Sequence, residues 1–277
     1  MRDQGMKVLF IGDIVGRAGR DAVCEALPGW RQRLDLDFVA ANGENAAGGF
    51  GITADICRQF YDAGVDVITG GNHTWDQQDI IAYIDGDPRL LRPINLTPGT
   101  PGRGAGVFEA RGGRKVLVIN AMGRIFMDPI GDPFAAVRDE LAKVRLGVGA
   151  NFILIDMHAD ATSEKTAMGV FADGKASLVV GSHSHVPTAD ARILPGGTAY
   201  QTDAGMCGDY DSVIGMQKEG PLSRFLGRVK KERFKAAMGE ATVCAVYVET
   251  DDATGLATHI APLRQGGHLA PAWPVAD

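Results

Sequence analysis

Side chains that can bind metal ions follow five separate apolar segments of the sequence. Two are carboxylates, two are asparagines and four are histidines, out of six histidines in the chain. In chain order they are Asp13, Glu44, Asn45, Asn72, His73, His158, His183 and His185. Imidazole nitrogens mixed with oxygen donors suit iron, manganese or zinc better than magnesium or calcium. The set therefore predicts a metal centre.

Charge balance favours a pair of divalent cations at this centre. Two cations held close together repel each other, so a carboxylate must bridge them and further negative charge must offset them. Asp13 and Glu44 can supply these carboxylates. Histidine nitrogens and amide oxygens complete the coordination without excess negative charge, which leaves room for an anionic phosphate group. Any one of these residues has an ordinary structural explanation, but the joint pattern favours metal binding.

Two motifs in this set are more specific than the rest, namely Gly-Asn-His at 71–73 and Gly-Ser-His-Ser-His at 181–185. Successive side chains of extended backbone point to opposite sides. His183 and His185 would then face the same way, one toward each metal ion, with Ser184 turned away.

The apolar segments before these residues have the length of buried strands. Helical patterns alternate with them, and Pro28 is expected to end the first helix while Thr53 caps the second. Such alternation predicts parallel β-α-β units, in which ligands bind beyond the carboxyl ends of the strands. The strands are predicted at 6–11, 38–41, 65–69, 116–120, 152–156 and 178–180. The helices are predicted at 17–27, 53–63, 76–84, 134–145 and 163–171.

The rest of the chain predicts irregular and antiparallel structure. Residues 87–114, rich in proline and glycine, predict an irregular crossover. Short segments after Pro187 predict antiparallel strands and hence mixed sheets, at 191–194, 198–202, 242–250 and 256–263. A helix or lid rich in arginine and lysine is expected at 223–237. No long polar linker is found, so residues 1–277 are expected to form a single α/β domain.

Composition narrows the possible partners. The net charge of -6 opposes binding of long nucleic acid, but it is compatible with a small phosphorylated substrate. The four cysteines show no CxxC spacing, which predicts reduced thiols in a cytoplasmic protein. The sequence contains no apolar segment typical of a membrane span or a secretory signal, so neither is expected. A homo-oligomer stays open.

Longer motifs carry a resemblance to a known family. They extend from about Val8 to beyond Gly208 and read GDIVGRAGR, ANGENAAGGFG, GGNHTWD, DMHADATSEK and GSHSHVPTAD. Their order of Gly-Asp, a later acid, Gly-Asn-His, an isolated histidine and His-x-His resembles the calcineurin-like metallophosphoesterase superfamily. The motifs themselves are most similar to those of bacterial YmdB-type phosphodiesterases. The resemblance implies a four-layer α/β/β/α sandwich with two mixed sheets inside and helices outside.

The resemblance also implies an activity and a set of roles. The activity is hydrolysis of cyclic nucleotides, 2′,3′-cyclic nucleotides in particular, with two divalent metal ions, iron or manganese, as cofactors. One metal would be held by Asp13, Glu44, Asn45 and His185. The other would be held by Glu44, Asn72, His158 and His183. His73 would be the general acid, and we hypothesise in-line attack on phosphorus by a hydroxide that bridges the metals.

The sequence departs from the wider superfamily at two positions. The first motif there is usually Asp-x-His, but Val15 stands at the histidine position here and cannot ligate a metal. The bridging acid is usually Asp, whereas here it is Glu44. We expect the amide oxygen of Asn45 to fill the vacant coordination position, as a weaker donor than imidazole.

Other functions stay open at this point. Gly12, Gly16 and Gly19 after the first strand resemble a dinucleotide-binding loop, although Asp13 would repel a pyrophosphate there. A metal-bearing regulatory protein that binds a nucleotide with little turnover is a second alternative. A phosphatase or nuclease that uses the same metals is a third.

The roles of several polar residues near the motifs also stay open. Arg17 and Arg20 either contact substrate or are ordinary surface residues. Glu164 and Lys165 are expected to be exposed, either as substrate contacts or within a capping box that begins at Thr162 or Ser163. Asp203 could support a metal ligand from behind, and Asp76 could orient His73.

Overall fold

The structure of the protein, a computed structural model, describes residues 5–227 and 233–275. The strands in these ranges are β1 (Lys7–Ile11), β2 (Asp13–Ile14), β3 (Phe38–Asn42), β4 (Val67–Thr69), β5 (Ala105–Glu109), β6 (Lys115–Met122), β7 (Phe152–His158), β8 (Leu178–Ser182), β9 (Arg192–Ile193), β10 (Ala199–Gln201), β11 (Met206–Asp209), β12 (Ala241–Thr250) and β13 (Ala257–Gln265). The α-helices are α1 (Gly16–Arg33), α2 (Ala54–Ala63), α3 (Gln78–Tyr83), α4 (Pro133–Lys143), α5 (Thr162–Ala172) and α6 (Glu219–Phe225). Short 3-10 turns lie at Ile84–Gly86 and Arg111–Gly113.

The strands form two mixed sheets. The first has seven strands in the order β2-β11-β12-β1-β3-β4, with β13 paired to β12. In it β1, β3 and β4 are parallel, while β12 is antiparallel to β1. The second has six strands in the order β5-β6-β7-β8-β10-β9, of which β6, β7, β8 and β10 are parallel.

Alternate side chains of each strand build different layers of core. In β1, Val8 and Phe10 lie in the core between the two sheets, whereas Leu9 packs beneath α1 and α2 on the outer face. In β6, Val118 lies in the same central core, and Ile119 packs beneath α4 and α5. Because side chains alternate across a strand, one apolar run supplies both faces. The four-layer sandwich implied by the resemblance is confirmed.

The sequence predicts that helix α1 ends at Pro28, but the helix continues to Arg33. Proline removes a backbone donor and crowds the preceding turn, which usually ends a helix. Here Leu27 and Trp30 are buried against the first sheet on either side of the proline. The Nε of Arg31 also donates a 2.7 Å hydrogen bond to the carbonyl oxygen of Gly64. Packing therefore outweighs the local cost of the proline.

Two other expectations differ from the structure, and a third is met on one edge only. Strand β10 pairs antiparallel with β9, as predicted, but its other edge pairs parallel with β8. The segment expected to be irregular contains β5, which pairs with β6. The helix expected at 223–237 is instead α6, which ends at Phe225, and residues 228–232 lie outside the described ranges. By contrast, Thr53 caps α2 as predicted, since its side chain accepts a hydrogen bond from the backbone N–H of Ile56.

None of the helices within residues 5–227 and 233–275 has the length and apolarity needed to cross a membrane.

Candidate metal centre

The ends of strands from both sheets meet at one place. Asp13 lies in β2, and Glu44 and Asn72 follow β3 and β4 of the first sheet. His158 ends β7 and His183 follows β8, both of the second sheet. The predicted residues thus come from two facing sheets rather than from neighbouring strands of one sheet. All seven predicted metal ligands, together with His73, lie around this meeting point.

Three potential ligand atoms surround the Nε2 of His158. The Oδ1 of Asn72 is 2.9 Å away, the Oε1 of Glu44 is 3.0 Å away and the Nδ1 of His183 is 3.1 Å away. A single imidazole N–H can donate to only one of these atoms. Ligands about 2.1 Å from a shared cation in octahedral geometry lie about 3 Å from one another, which is the spacing found here. The group therefore has the geometry of a metal site.

Two local features fit a cation at this position. Within the described residues the buried Oε1 of Glu44 makes no hydrogen bond of regular geometry, and its close polar neighbour is the Nε2 of His158 at 3.0 Å. Gly71 allows the close approach, because a Cβ there would lie 2.2 Å from the Oε2 of Glu44 and 2.3 Å from the Nε2 of His158. The donor set Glu44, Asn72, His158 and His183 can therefore hold a divalent cation.

A second group of donors lies beside the first. The Nε2 of His185 is 3.2 Å from the Oδ1 of Asn45 and 3.9 Å from the Oδ1 of Asp13. The Nδ2 of Asn45 donates to the carbonyl oxygen of Gly49 at 3.0 Å, which directs the amide oxygen toward His185. Val15 is buried in a small apolar cluster with Met206, whereas the amide oxygen of Asn45 faces His185. Asn45 therefore lies where an amide oxygen could take the place of the imidazole that Val15 does not supply.

Hydrogen bonds behind two of the histidines direct their Nε2 atoms toward the donor cluster. The Nδ1 of His185 donates to the carbonyl oxygen of Ile214 at 2.8 Å, which turns Nε2 toward Asn45. The Nδ1 of His158 lies 2.9 Å from the hydroxyl of Ser182, which in turn donates to Asp156 at 2.6 Å. Partners of this kind fix the tautomer and the ring orientation of metal-binding histidines.

Charges at the centre are strongly perturbed in the metal-free protein. Burial would raise the pKa of Glu44, but the adjacent His158 outweighs burial and lowers this pKa to about 2. Burial would lower the pKa of His158, but Glu44 and Asp13 outweigh it and raise the pKa to about 9. Burial raises the pKa of Asp13 to about 7. Burial and the charge on His158 lower the pKa of His183 to about 3. Protons on His158 and Asp13 thus offset the negative charge that bound cations would otherwise offset.

The segment that carries His183 and His185 is not extended, contrary to expectation. Both histidines have left-handed backbone, with φ of 92° and 65°, a conformation that non-glycine residues adopt only under constraint. The carboxylate of Asp13 accepts hydrogen bonds from the backbone N–H of His183, at 3.1 Å to each oxygen. Ser184 is turned away from the centre, as predicted, and is held from behind by Asp203.

A buried ion pair holds Ser184. Lys165 and Asp203 are both 0% exposed, and the Nζ of Lys165 is 2.7 Å from the Oδ2 of Asp203. The same Nζ donates to the hydroxyl of Ser184 at 2.8 Å, and the backbone N–H of Ser184 donates to Asp203 at 3.1 Å. The expectation that Lys165 is exposed is therefore wrong. The pair supports the strained segment between His183 and His185.

Glu164 is also buried rather than exposed, and it caps a neighbouring loop. Its carboxylate accepts hydrogen bonds from the backbone N–H groups of Arg124 and Ile125. The expected capping box is absent, because α5 begins after Ala161 without a side-chain cap. Glu164 thus has a structural role in the described chain.

His73 stands at the mouth of the centre, with 28% of its side chain exposed. Its backbone N–H donates to the Oε2 of Glu44 at 3.1 Å, and its ring packs edge-on against Phe50. Its Nδ1 lies 2.7 Å from the Oδ2 of Asp76. The interaction with Asp76 orients the ring, so that Nε2 is available to a bound molecule.

Several supporting residues were missed by the sequence prediction. Asp156 and Ser182 support His158. Asn42, which belongs to an Asn-Gly pair typical of an ordinary turn, donates to Asp156 at 3.1 Å. A signal for Asp156 exists in the sequence, because it is an acid inside an apolar strand two residues before His158 and hence on the same face. The sequence contains no comparable signal for the hydrogen bond between the Ile214 carbonyl oxygen and His185.

The glycine-rich segment at 12–19 has a packing role. A Cβ at Gly19 would lie 2.0 Å from the carbonyl oxygen of Cys207, so glycine there lets α1 approach β11 closely. Asp13 within this segment is buried and directed into the donor cluster. The segment therefore serves the metal centre rather than a pyrophosphate.

Comparisons with known proteins agree with this geometry. A family model described as YmdB-like protein matches residues 9–263. The chain is 46% identical over 255 residues to the 2′,3′-cyclic-nucleotide 2′-phosphodiesterase of Bacillus subtilis (strain 168), and the match covers 92% of this chain and 95% of that protein. A solved structure of a hypothetical protein from Thermus thermophilus matches with a TM-score of 0.88 and 43% identity, over 95% of this chain and 100% of that one. A structure described as a novel phosphatase, from Mycoplasma pneumoniae, matches with a TM-score of 0.87 and 33% identity, over 95% and 94%.

Proposed function

The chain belongs to the family of YmdB-like proteins, and on this premise we propose that it is a phosphodiesterase that hydrolyses 2′,3′-cyclic nucleotides with two divalent metal ions. The observation that carries the proposal is the convergence of Glu44, Asn72 and His183 on the Nε2 of His158, beside His73. The activity of the Bacillus subtilis relative supports the same substrate class. Iron or manganese is the proposed metal, because the donors mix imidazole with oxygen.

The proposed ligand sets share one carboxylate. Glu44, Asn72, His158 and His183 would hold one ion. Asp13, Glu44, Asn45 and His185 would hold the other. When bound, the two ions would supply a hydroxide nucleophile at neutral pH and offset the negative charge that develops on the phosphoryl oxygens.

His73 is the proposed general acid. In hydrolysis of a 2′,3′-cyclic phosphate, a P–O bond forms to the nucleophile and the P–O2′ bond breaks in line with it. The departing O2′ takes a proton from the Nε2 of His73, and the product is a nucleoside 3′-phosphate. Asp76 orients the ring through its contact with Nδ1, and Phe50 limits its rotation. General acid catalysis of this kind contributes about 100- to 10,000-fold.

The test is a competition among substrate classes. The purified protein is loaded with manganese or iron and supplied with 2′,3′-cyclic AMP, 3′,5′-cyclic AMP and AMP, and the products are separated by chromatography. We expect fastest turnover of the 2′,3′-cyclic compound, with 3′-AMP as product. Absence of 2′,3′-cyclic AMP hydrolysis in both metal-loaded forms would refute the proposal.

The Mycoplasma pneumoniae structure described as a phosphatase favours a second candidate function, hydrolysis of phosphate monoesters. The same centre could serve both reactions, since both involve attack on phosphorus. Faster turnover of AMP than of 2′,3′-cyclic AMP would favour this alternative. A cytoplasmic location stays a prediction, and a homo-oligomeric state stays open.

A further inference from the structure

A large cleft with an unusual charge opens beside His73. Its volume is about 1330 Å³, which exceeds the roughly 300–1,000 Å³ of a cleft for one drug-sized ligand. Five cationic side chains line it, and Asp76, already engaged with His73, is the acid among the lining residues. The cations come from the start of α1, from α6 and from the segment that begins at residue 233, and they are Arg17, Arg20, Arg224, Arg233 and Lys235.

Within the described ranges, no carboxylate forms an ion pair with these cations. Among the residues that the structure describes, none of the five lies within ion-pair distance of a carboxylate, in a chain whose net charge is -6. Arg20 makes a single hydrogen bond, of 3.3 Å, from Nη1 to the carbonyl oxygen of Ala46, and its buried Nε has no partner within the described ranges. Burial lowers the pKa of Arg20, the nearby carboxylate of Asp21 opposes this shift, and the charge of Arg17 adds to it. A cluster of unpaired positive charge in an acidic protein attracts an anion.

Aromatic rings stand among the cations. The guanidinium of Arg224 lies over the ring of Phe234, 4.0 Å from its centre, and both residues line the cleft. Phe50, whose ring contacts His73, lines it as well. Aromatic faces and arginine planes stack with nucleobases, while basic side chains bind the phosphates between them.

From these contacts we propose that the cleft binds the phosphate and nucleoside on the 5′ side of the reacting nucleotide, so that the preferred substrate is a short oligoribonucleotide ending in a 2′,3′-cyclic phosphate. This inference rests on the proposed function of the adjacent metal centre. The chemical step is unchanged, since water adds to the terminal phosphorus, the P–O2′ bond breaks and the internal diester stays intact. The acidic remainder of the protein restricts the preference to short chains.

The experiment compares a mononucleotide with a dinucleotide. The manganese-loaded enzyme is supplied with 2′,3′-cyclic AMP or with ApA that ends in a 2′,3′-cyclic phosphate, at low and at high salt. We expect kcat/KM to be about tenfold or more higher for the dinucleotide at low salt, through KM, and the advantage to shrink as salt is added. Equal kcat/KM for the two substrates at low salt would overturn the inference.

Charge variants locate the preference in the cleft. The double variant Arg233→Ser/Lys235→Ser is expected to lose most of the dinucleotide advantage, whereas Arg138→Ser/Lys143→Ser, two exposed cations on α4, is the matched control and keeps it. Calorimetry gives a second readout, the affinity for ApA with a 3′-phosphate relative to 3′-AMP, which should fall in the cleft variant alone. An unchanged advantage and unchanged relative affinity in the cleft variant would overturn the inference.

Failure of the proposed function is distinguishable from failure of this inference. If the metal-loaded protein hydrolyses neither substrate, the proposed function is wrong, and the calorimetric comparison still decides the cleft. If it hydrolyses both equally well, the function stands and the inference about the cleft is wrong.

Discussion

The Oε1 of Glu44 lies 3.0 Å from the Nε2 of His158, and both side chains are buried. Glu44 follows a strand of one sheet and His158 ends a strand of the other, so their contact joins the two halves of the fold. A carboxylate and an imidazole this close form an ion pair when the protein holds no metal. We propose that the same two atoms serve as ligands when a cation replaces their proton.

Replacement of Glu44 by glutamine should empty the centre. Glu44→Gln keeps the shape of the side chain but removes the charge that both proposed ions share. We expect metal analysis after dialysis to find less than half the wild-type content, and kcat for 2′,3′-cyclic AMP to fall by about 100-fold or more. Glu140→Gln, on the surface of α4, is the control and should change neither value. Wild-type metal content in Glu44→Gln would argue against a bridging role.

Replacement of His73 should separate catalysis from metal binding. His73→Ala should keep wild-type metal content and lose about 100- to 10,000-fold in kcat for 2′,3′-cyclic AMP, because the ribose oxygen then leaves without a proton donor. An activated diester, bis-p-nitrophenyl phosphate, has a leaving group that needs no acid, so its hydrolysis should fall much less. Asp76→Asn should show a smaller loss with the same substrate dependence. Equal losses on both substrates would exclude His73 as the acid.

Metal affinity should rise with pH. His158 holds a proton up to about pH 9 and Asp13 up to about pH 7 in the metal-free protein, and both must lose it to bind a cation. Below these values protons compete with the metal, so affinity should increase by up to about tenfold per pH unit for each proton released. Titration calorimetry with Mn²⁺ at pH 6.5, 7.5 and 8.5, in buffers of different ionisation enthalpy, measures affinity and proton release together. A pH-independent affinity without proton release would contradict the ion pair at the centre.

The Lys165–Asp203 pair should act on the metal ligands through Ser184. Lys165→Met leaves a buried carboxylate without its partner, and we expect the free energy of unfolding to fall by about 3–5 kcal/mol. Lys165→Met/Asp203→Asn removes both charges and should recover part of this stability in urea titrations. If the pair positions His183 and His185, the double variant will still bind manganese more weakly than the wild type. Recovery of wild-type manganese affinity would leave the pair with a role in stability alone.

The convergence of the donors could be predicted from the sequence because each donor follows a strand-like apolar run. Asp13, Glu44 and His158 could be found in this way, since strand ends collect ligand-binding residues. The meeting of two sheets came from the family resemblance, because alternation along the chain cannot tell whether β3 and β7 share a sheet. The same limit explains why the antiparallel pairing of β10 with β9 was predicted but its parallel pairing with β8 was not.

Other features depend on contacts distant in sequence. Pro28 predicts the end of a helix by local chemistry, and burial of Leu27 and Trp30 against the first sheet overrides it. Lys165 has the sequence context of a surface residue, and Asp203, its partner in another segment, explains its burial. The left-handed backbone at His183 and His185 likewise follows from tertiary hydrogen bonds, which sequence spacing does not contain.

We propose that seven side chains hold two cations with Glu44 between them. Anomalous diffraction from crystals loaded with manganese measures the number and the positions of the ions. We expect two peaks, one among Asn72, His158 and His183 and the other among Asp13, Asn45 and His185, both within bonding distance of Glu44. A single peak, or two peaks that do not share Glu44, would contradict it.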